Sequence, residues 1–519
     1  MGRFGRWLIT LTIMATGTMA APMVQAQSWD DGAHATDVAV VFPKAAPNPG
    51  IRMLTVHSEP GRGVSGYLTS DWYGRMAMEH VSVTGGTLHF DARNLNTPNV
   101  PYRHWTATLT SAGVHLTGGI WESNVDQIGR RATATEAAAL AFHETTLPAL
   151  GTLPADGLAA TPPMGWSSWN KFADRIDDAT IRQIADAMVS TGLRDAGYVY
   201  VNIDDGWQGT RGPDGALRPN AKFPDMKALA DYVHARGLKL GIYSSPGPRT
   251  CAGYEGSYGH VRQDANTFAG WGIDYLKYDL CSGEYFYADA DSVKRSYYEM
   301  GAALRATGRG ILYSLCEYGR FRVGAWGRSV GGHLWRTTGD ITDDFASMAR
   351  IGFDKNGDAT DAGPGGWNDP DMLEIGNGGM SEAAYRTHMT LWAMSAAPLM
   401  MGHDVRATDE AARRLLTNRA VIAIDQDARG IQASAVRKDG TSEVWVKPLQ
   451  GGAVAIALFN RSAAPARIVL QHGDTGFAID RLEDVWRGAA LDPKATSFDV
   501  PAQGVILLKA HARGEAAAN

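Results

Sequence analysis

Five short strings between Gly165 and Met372 each end in polar or acidic residues. They are Gly165-Trp166-Ser167-Ser168-Trp169-Asn170, Ile203-Asp204-Asp205-Gly206-Trp207, Tyr275-Leu276-Lys277-Tyr278-Asp279, Arg336-Thr337-Thr338-Gly339-Asp340 and Trp367-Asn368-Asp369-Pro370-Asp371-Met372. Cleaving a glycosidic bond takes two carboxyl groups flanking that bond, aromatic faces against the ring and polar groups for its hydroxyls. All of these residue types occur here where predicted strands run out. Asp279 stands two residues after Lys277, whose ammonium favours the ionised carboxylate that a nucleophile needs. Asp340 follows Arg336 and supplies the second carboxyl group, placed to act as the acid. Either Asp alone reads as a helix cap or a surface ion pair. Asp204, Asp205, Asp279, Glu317, Asp340 and Asp371, all predicted at strand ends, read as a site, because carboxylates crowded on one face repel unless a polyol or a cation satisfies them.

The elements that must position these residues are short. Tyr198 to Ile203, Leu238 to Tyr243, Tyr275 to Tyr278 and Ile311 to Leu315 are apolar runs, as parallel strands buried on both faces require. Between them Ile181, Ile184, Ala185 and Met188 recur at helical spacing behind a cap at Asp178 and stop at Gly192. Met226, Leu229, Ala230 and Val233 repeat the pattern before Gly237. Strands near 164, 199, 239, 275, 312, 334, 366 and 399 make residues 161–427 an α/β region of the TIM (β/α)8 barrel class, whose active site lies at the C-terminal strand ends.

On either side the periodicity changes. Residues 28–140 alternate over short runs such as Thr87-Leu88-His89-Phe90 and Val114-His115-Leu116-Thr117, which predicts a β-rich accessory domain. Its Trp72, Trp105 and Trp121 read as core, with a sugar-binding platform as the competing role. Residues 141–160, with Leu147-Pro148 and Leu153-Pro154, read as a linker, and 428–512 as a C-terminal antiparallel β-sandwich. Residues 1–26 read as a secretory signal: Arg3 and Arg6, an apolar stretch from Trp7, then Val24-Gln25-Ala26. An exported protein, periplasmic or secreted, is expected, with no membrane span.

Other chemistries lack support. A formal charge of −6 offers no reason to expect nucleic acid as a partner. No His-Glu-x-x-His occurs, and Asp354-Lys355-Asn356-Gly357-Asp358 departs from a calcium loop at Ala359 and Gly365, so neither a metal nor a cofactor is expected. Gly61-Arg62-Gly63-Val64-Ser65-Gly66 imitates a dinucleotide fingerprint without opening a helix, and Gly327-Arg328-Ser329-Val330-Gly331 imitates a hydrolase elbow but precedes its strand. Of the three cysteines, Cys251 and Cys281 follow adjacent predicted strands and are expected to pair, leaving Cys316 as a buried thiol.

From about Thr161 to Asp427, with its β-sandwich tail, the chain resembles glycoside hydrolase family 27, the α-galactosidase and α-N-acetylgalactosaminidase family, through the five strings in their order. The N-terminal module lies outside the resemblance. The resemblance implies a retaining double displacement with Asp279 as nucleophile and Asp340 as general acid/base. It places Trp169 beneath the sugar, Asp204 and Asp205 at O4 and O6, Lys277 at O3 and O4, and Glu317 and Arg336 at the 2-position. Tyr243, Asp371 and Met372 line the pocket, and the Cys251–Cys281 bridge is supported as well. A galactose-containing oligo- or polysaccharide is the implied partner. Glu317 leaves no room for an acetamido group, which favours α-galactosidase over α-N-acetylgalactosaminidase, and the intact Asp204-Asp205 pair disfavours a β-L-arabinopyranosidase. The intact carboxyl groups at 279 and 340 weigh against a non-catalytic sugar-binding protein. One departure is Tyr318, where the family often has Trp after the glutamate.

Overall fold

The computed structural model describes residue 29 and residues 36–43, 50–94, 103–120 and 123–512. The expected signal segment at 1–26 and Trp121 lie outside the described residues. Eight antiparallel strands come first: β1 (Thr36–Val41), β2 (Ile51–Glu59), β3 (Gly63–Ser70), β4 (Gly74–Thr84), β5 (Thr87–Asn94), β6 (Arg103–Thr110), β7 (Gly113–Ile120) and β8 (Ser123–Arg131). Each pairs with the next, and Val40↔Arg131 and Val41↔Arg130 join β1 to β8, so the sheet closes into a barrel without free edges. Leu54, Leu68, Leu88, Phe90, Trp105 and Leu116 fill its interior. Trp72 and Trp105 are both buried, which removes them from any exposed platform. The Gly61–Gly66 string is the β2–β3 turn running into β3, with Glu59 opposite Gly63.

A helix, Ala134–Leu140, ends this module, where only strands were expected. Its capping box, Thr133 with Glu136, was present in the sequence and outweighed by the β-rich text before it. The linker is tied down: Arg295 donates to the carbonyls of Leu147 and Pro148, and Asp156 pairs with His333 and Arg305.

The central region is an eight-stranded parallel sheet curled around a core. Its strands are β9 (Met164–Ser167), β10 (Tyr200–Asn202), β13 (Lys239–Ser244), β14 (Tyr275–Asp279), β15 (Leu312–Cys316), β16 (Leu334–Arg336), β17 (Trp367–Asp369) and β18 (Leu399–Met401). A hairpin, β11 (Gln208–Arg211) and β12 (Leu217–Pro219), projects after β10. β17 and β18 share no ladder. The gap is spanned by Leu373, whose N–H donates to Met400 (2.7 Å) and whose carbonyl accepts from Gly402 (2.9 Å). Tyr200, Tyr275, Leu312, Leu334, Trp367, Met372 and Met400 fill the interior, and Trp169 packs on them. The helix Asp178–Ser190 is capped by Asp177, one residue before the expected cap, with its carboxylate accepting from Thr180 N (2.8 Å).

Six antiparallel strands follow in the order β19 (Ser434–Asp439), β20 (Ser442–Pro448), β21 (Ala453–Asn460), β26 (Val505–Ala512), β23 (Ile479–Asp484) and β24 (Ala489–Leu491). A second pair, β22 (Ala466–Val469) and β25 (Ser497–Val500), covers one face. β21 is buried along its whole length. Val454, Ile456 and Leu458 face Ile468 and Val500, whereas Ala455, Ala457 and Phe459 join the core of the central barrel.

Candidate active site

The five strings converge at the C-terminal ends of the barrel strands, as the parallel register demands: Tyr243 lies beside Lys277, and Asp279 beside Cys316. A cavity there is lined by Ser167, Asp204, Lys277, Arg336, Asp371 and Met372, among others. Trp169, half-buried, opens the helix Trp169–Phe172 directly after β9.

Asp204 is fully engaged by the protein. Its Oδ2 accepts from Lys277 Nζ (2.9 Å) and Ser167 Oγ (3.2 Å), and its N–H donates to Ser168 Oγ (3.0 Å). Asp205 is engaged on one side only. Its Oδ2 accepts from Ala252 N (2.7 Å), whereas the buried Oδ1 has no partner in the protein. Burial pushes its carboxyl up to about 7, against the hydrogen bonds from Ala252 and Thr250. Glu317 is similar: Oε1 accepts from Gly319 N (3.3 Å), Oε2 is unpartnered, and burial raises the group to about 8.

Asp279 ends β14 with one buried, unpartnered oxygen, Oδ1. The Lys277 ammonium does not bond it, being held by Asp204. Burial raises the Asp279 carboxyl by more than Lys277 and a hydrogen bond from Tyr318 lower it, so the ammonium favours the ionised form, as the sequence suggested, but burial outweighs it. The Tyr318 hydroxyl also lies 3.3 Å from Cys251 Sγ, and Tyr243 donates to Cys281 Sγ (3.0 Å). Cys251 and Cys281 are joined by a disulfide beside Asp279, and Cys316 is a buried free thiol. The two sulfurs and an Asp279 oxygen lie within 4.8 Å of one another, but bonded sulfurs are not the thiolates that a metal takes as ligands.

Arg336 is buried with its Nη2 shared among Asp340 Oδ1 (3.0 Å), Asp371 Oδ2 (3.0 Å) and the Thr338 carbonyl (3.2 Å). The Asp340 side chain is 64% exposed, which leaves it open to solvent on the side away from Arg336. Such burial as it has raises its carboxyl, but the charges of Arg336 and Lys277 prevail and hold it below its ordinary value. Asp371 is buried at φ 81, a conformation that L residues rarely adopt. Its N–H donates to Asp369 Oδ1 (2.9 Å), and its Oδ2 also accepts from Ile341 N (2.8 Å). Ser167, Ser168, Asp369 and Tyr318 therefore join the site although sequence reasoning gave them no role in it. Their contacts cross between strands, and the signals that pointed to them were the Asp-Pro-Asp and Ser-Ser runs and, for Tyr318, its departure from the family's Trp.

Comparisons with known proteins place the chain in one family. Residues 161–427 match the family model described as Alpha galactosidase A, and 439–510 match the model of the alpha galactosidase C-terminal beta sandwich domain. An alpha-galactosidase of Cyamopsis tetragonoloba is 49% identical over 325 residues, covering 62% of this chain and 78% of its own. Alpha-galactosidase A of Cellvibrio japonicus is 43% identical over 379 residues, covering 68% and 92%. Among solved structures, alpha-galactosidase I from Mortierella vinacea superposes with a TM-score of 0.66 at 34% identity over 70% of this chain and 99% of that one. A candidate alpha-galactosidase/melibiase from Bacteroides fragilis gives 0.64 at 33% identity and covers 91% of both chains, which extends the likeness into the N-terminal module.

Proposed function

Because this chain belongs to the alpha-galactosidase A family, glycoside hydrolase family 27, we infer that it is an α-galactosidase releasing terminal non-reducing α-D-galactosyl groups from oligo- or polysaccharides. The observation that carries the reading is the set of buried, unpartnered polar atoms at the C-terminal ends of neighbouring barrel strands: Asp205 Oδ1, Glu317 Oε2, Asp279 Oδ1 and Arg336 Nε. An unmet buried polar group costs about 1–3 kcal/mol. A polyol of the right configuration meets several at once, and an epimer leaves some unmet.

In this proposal Asp279 attacks the anomeric carbon while Asp340 gives its proton to the departing oxygen. Asp340 then takes a proton from water, which displaces Asp279 and yields net retention. Trp169 supplies the stacking face, Asp204, Asp205 and Lys277 hold the hydroxyls at positions 3, 4 and 6, and Glu317 and Arg336 face position 2. Tyr243 and Met372 shape the wall. The protein's own groups leave Asp279 raised and Asp340 lowered, the reverse of what the first step needs. Substrate corrects both: the cation at Arg336 stays fixed, but a leaving group laid on exposed Asp340 excludes its water and raises it. A ring hydroxyl donating to the unpartnered Asp279 Oδ1 favours the ionised form and offsets part of the burial that raises it.

Export through the segment at 1–26 belongs to the same proposal, and no helix among the described residues is long and apolar enough to cross a membrane. The deciding experiment is steady-state hydrolysis of nitrophenyl α-D-galactopyranoside, α-N-acetylgalactosaminide and β-L-arabinopyranoside by the protein without added metal. Strong preference for the first is expected, and preference for either of the others overturns the assignment of Glu317 or of the Asp204-Asp205 pair.

A further inference from the structure

Among the described residues whose exposure is given, Phe321 is the one exposed Phe, Tyr or Trp side chain, at 42%. An exposed apolar residue by itself is ordinary. Its setting is not. Phe321 lies in the loop after β15, in which Tyr318 (φ 64), Phe321 (φ 54) and Arg322 (φ 54) all hold a left-handed backbone conformation. For a bulky residue this is an outlier, and such strain persists only where the surroundings enforce it.

The surroundings are the two loops that carry the reacting carboxylates. Glu317, four residues before Phe321, is buried in the sugar pocket, and the Tyr318 hydroxyl lies against the disulfide beside Asp279. Gly319 sits so close to the Thr337 carbonyl that a Cβ would come within 2.1 Å of it, which pins the loop to the segment leading to Asp340. Arg320 pairs with Glu284 (2.8 Å), on the segment that follows Asp279. The Phe321 carbonyl is fixed by Trp326 Nε1 (3.1 Å). The loop is thus tied both to the segment that follows Asp279 and to the one that leads to Asp340, and the Phe321 ring it carries is exposed. An acid must touch the oxygen of the departing group, so that group rests on the open side of Asp340.

We propose that Phe321 is the stacking face of a leaving-group subsite, receiving the sugar ring attached to the galactosyl oxygen. The proposal rests on the reading of Asp340 as the acid. The strained backbone presents one rigid apolar face where a hexopyranose presents its C–H face, and the neighbouring Arg320 and Arg322 supply donors for the hydroxyls at its edge.

The test compares two substrates on the full chain: α-D-galactosyl fluoride, whose leaving group has no ring, and an α-1,6-galactosyl-glucose disaccharide. Phe321→Ala is expected to lower kcat/KM for the disaccharide about ten-fold, the scale of one aromatic contact, and to leave the fluoride within about two-fold. Phe321→Trp is expected to keep disaccharide turnover near that of the parent. Phe321→Asn, which accepts the left-handed backbone more readily, repeats the comparison if the alanine variant does not fold. Equal losses on both substrates, or an undiminished disaccharide rate in the alanine or asparagine variant, overturn the subsite. Failure of the parent protein on both substrates would instead overturn the α-galactosidase reading itself.

Discussion

Asp371 accepts from the backbone N–H of Ile341, the residue next to Asp340, at 2.8 Å, and its same oxygen holds Arg336 at 3.0 Å. One buried carboxylate therefore sets both the cation that bonds Asp340 and the peptide that carries it. The sequence reading placed Asp371 in the pocket wall, and its geometry makes it a positioning residue. Asp371→Asn keeps the shape and tolerates φ 81, but leaves Arg336 buried without that charge. A stability loss on the order of 3 kcal/mol and a fall in kcat of about a hundred-fold are expected, because a displaced acid fails even when the sugar binds. Denaturant titration and steady-state kinetics check this. A kcat close to that of the parent would remove Asp371 from the positioning of Asp340.

The hydroxyl of Tyr318 is the donor toward Asp279, since an ionised carboxylate can only accept. Tyr318→Phe removes a group that lowers the Asp279 carboxyl while the burial that raises it stays. The acid limb of the kcat/KM profile should move to higher pH, because a larger fraction of Asp279 is then protonated at a given pH. An acid limb that does not move would show that the hydroxyl has no bearing on the nucleophile.

Asp205 at about 7 and Glu317 at about 8 lie above their unfolded values, so their protonated forms contribute stability at low pH that is lost as pH rises through 7 and 8. Galactose hydroxyls donate to the ionised forms and pull both groups back down. Binding then releases protons below those values, and galactose affinity should rise from pH 5 to about pH 8, by up to about ten-fold per unit for each proton released. Calorimetry in two buffers of different ionisation enthalpy measures the release directly. Affinity that weakens over this window would mean that the sugar prefers the protonated carboxyls.

In the proposed site Glu317, whose side chain is fully buried, closes the space at the 2-position. Glu317→Ala opens that space and deletes an acceptor. Turnover of the nitrophenyl galactoside should fall about a hundred-fold, with a much smaller change for the N-acetylgalactosaminide, so that the preference narrows. The ratio of the two kcat/KM values is the readout, and an unchanged ratio would move the 2-position elsewhere.

The order of the central fold was legible in the residues because each signal is local. Apolar runs of four to six residues gave the strands, and Ile181, Ile184, Ala185 and Met188 marked a helix that does bury those four side chains. The motif strings stood at strand ends, and parallel strands bring those ends together whatever else the chain does. The helix at Ala134–Leu140 and the cap at Asp177 were just as local, and were misread against their neighbours.

What only the tertiary structure decided is how the polar atoms are shared. Asp204 and Asp205 are adjacent and alike in sequence, yet Lys277 and Ser167 occupy Asp204 while Asp205 keeps one oxygen free, because successive residues at a strand end point to different partners. The raised Asp279 and the lowered Asp340 follow from burial and from Arg336, neither of which a linear string encodes. Closure of the N-terminal barrel needed β1 to meet β8 across some ninety residues, and the exposure of Phe321 needed two loops to pin its backbone. Residue type and spacing determined which groups are present. Desolvation and pairing between distant segments determined which of them are left free to act.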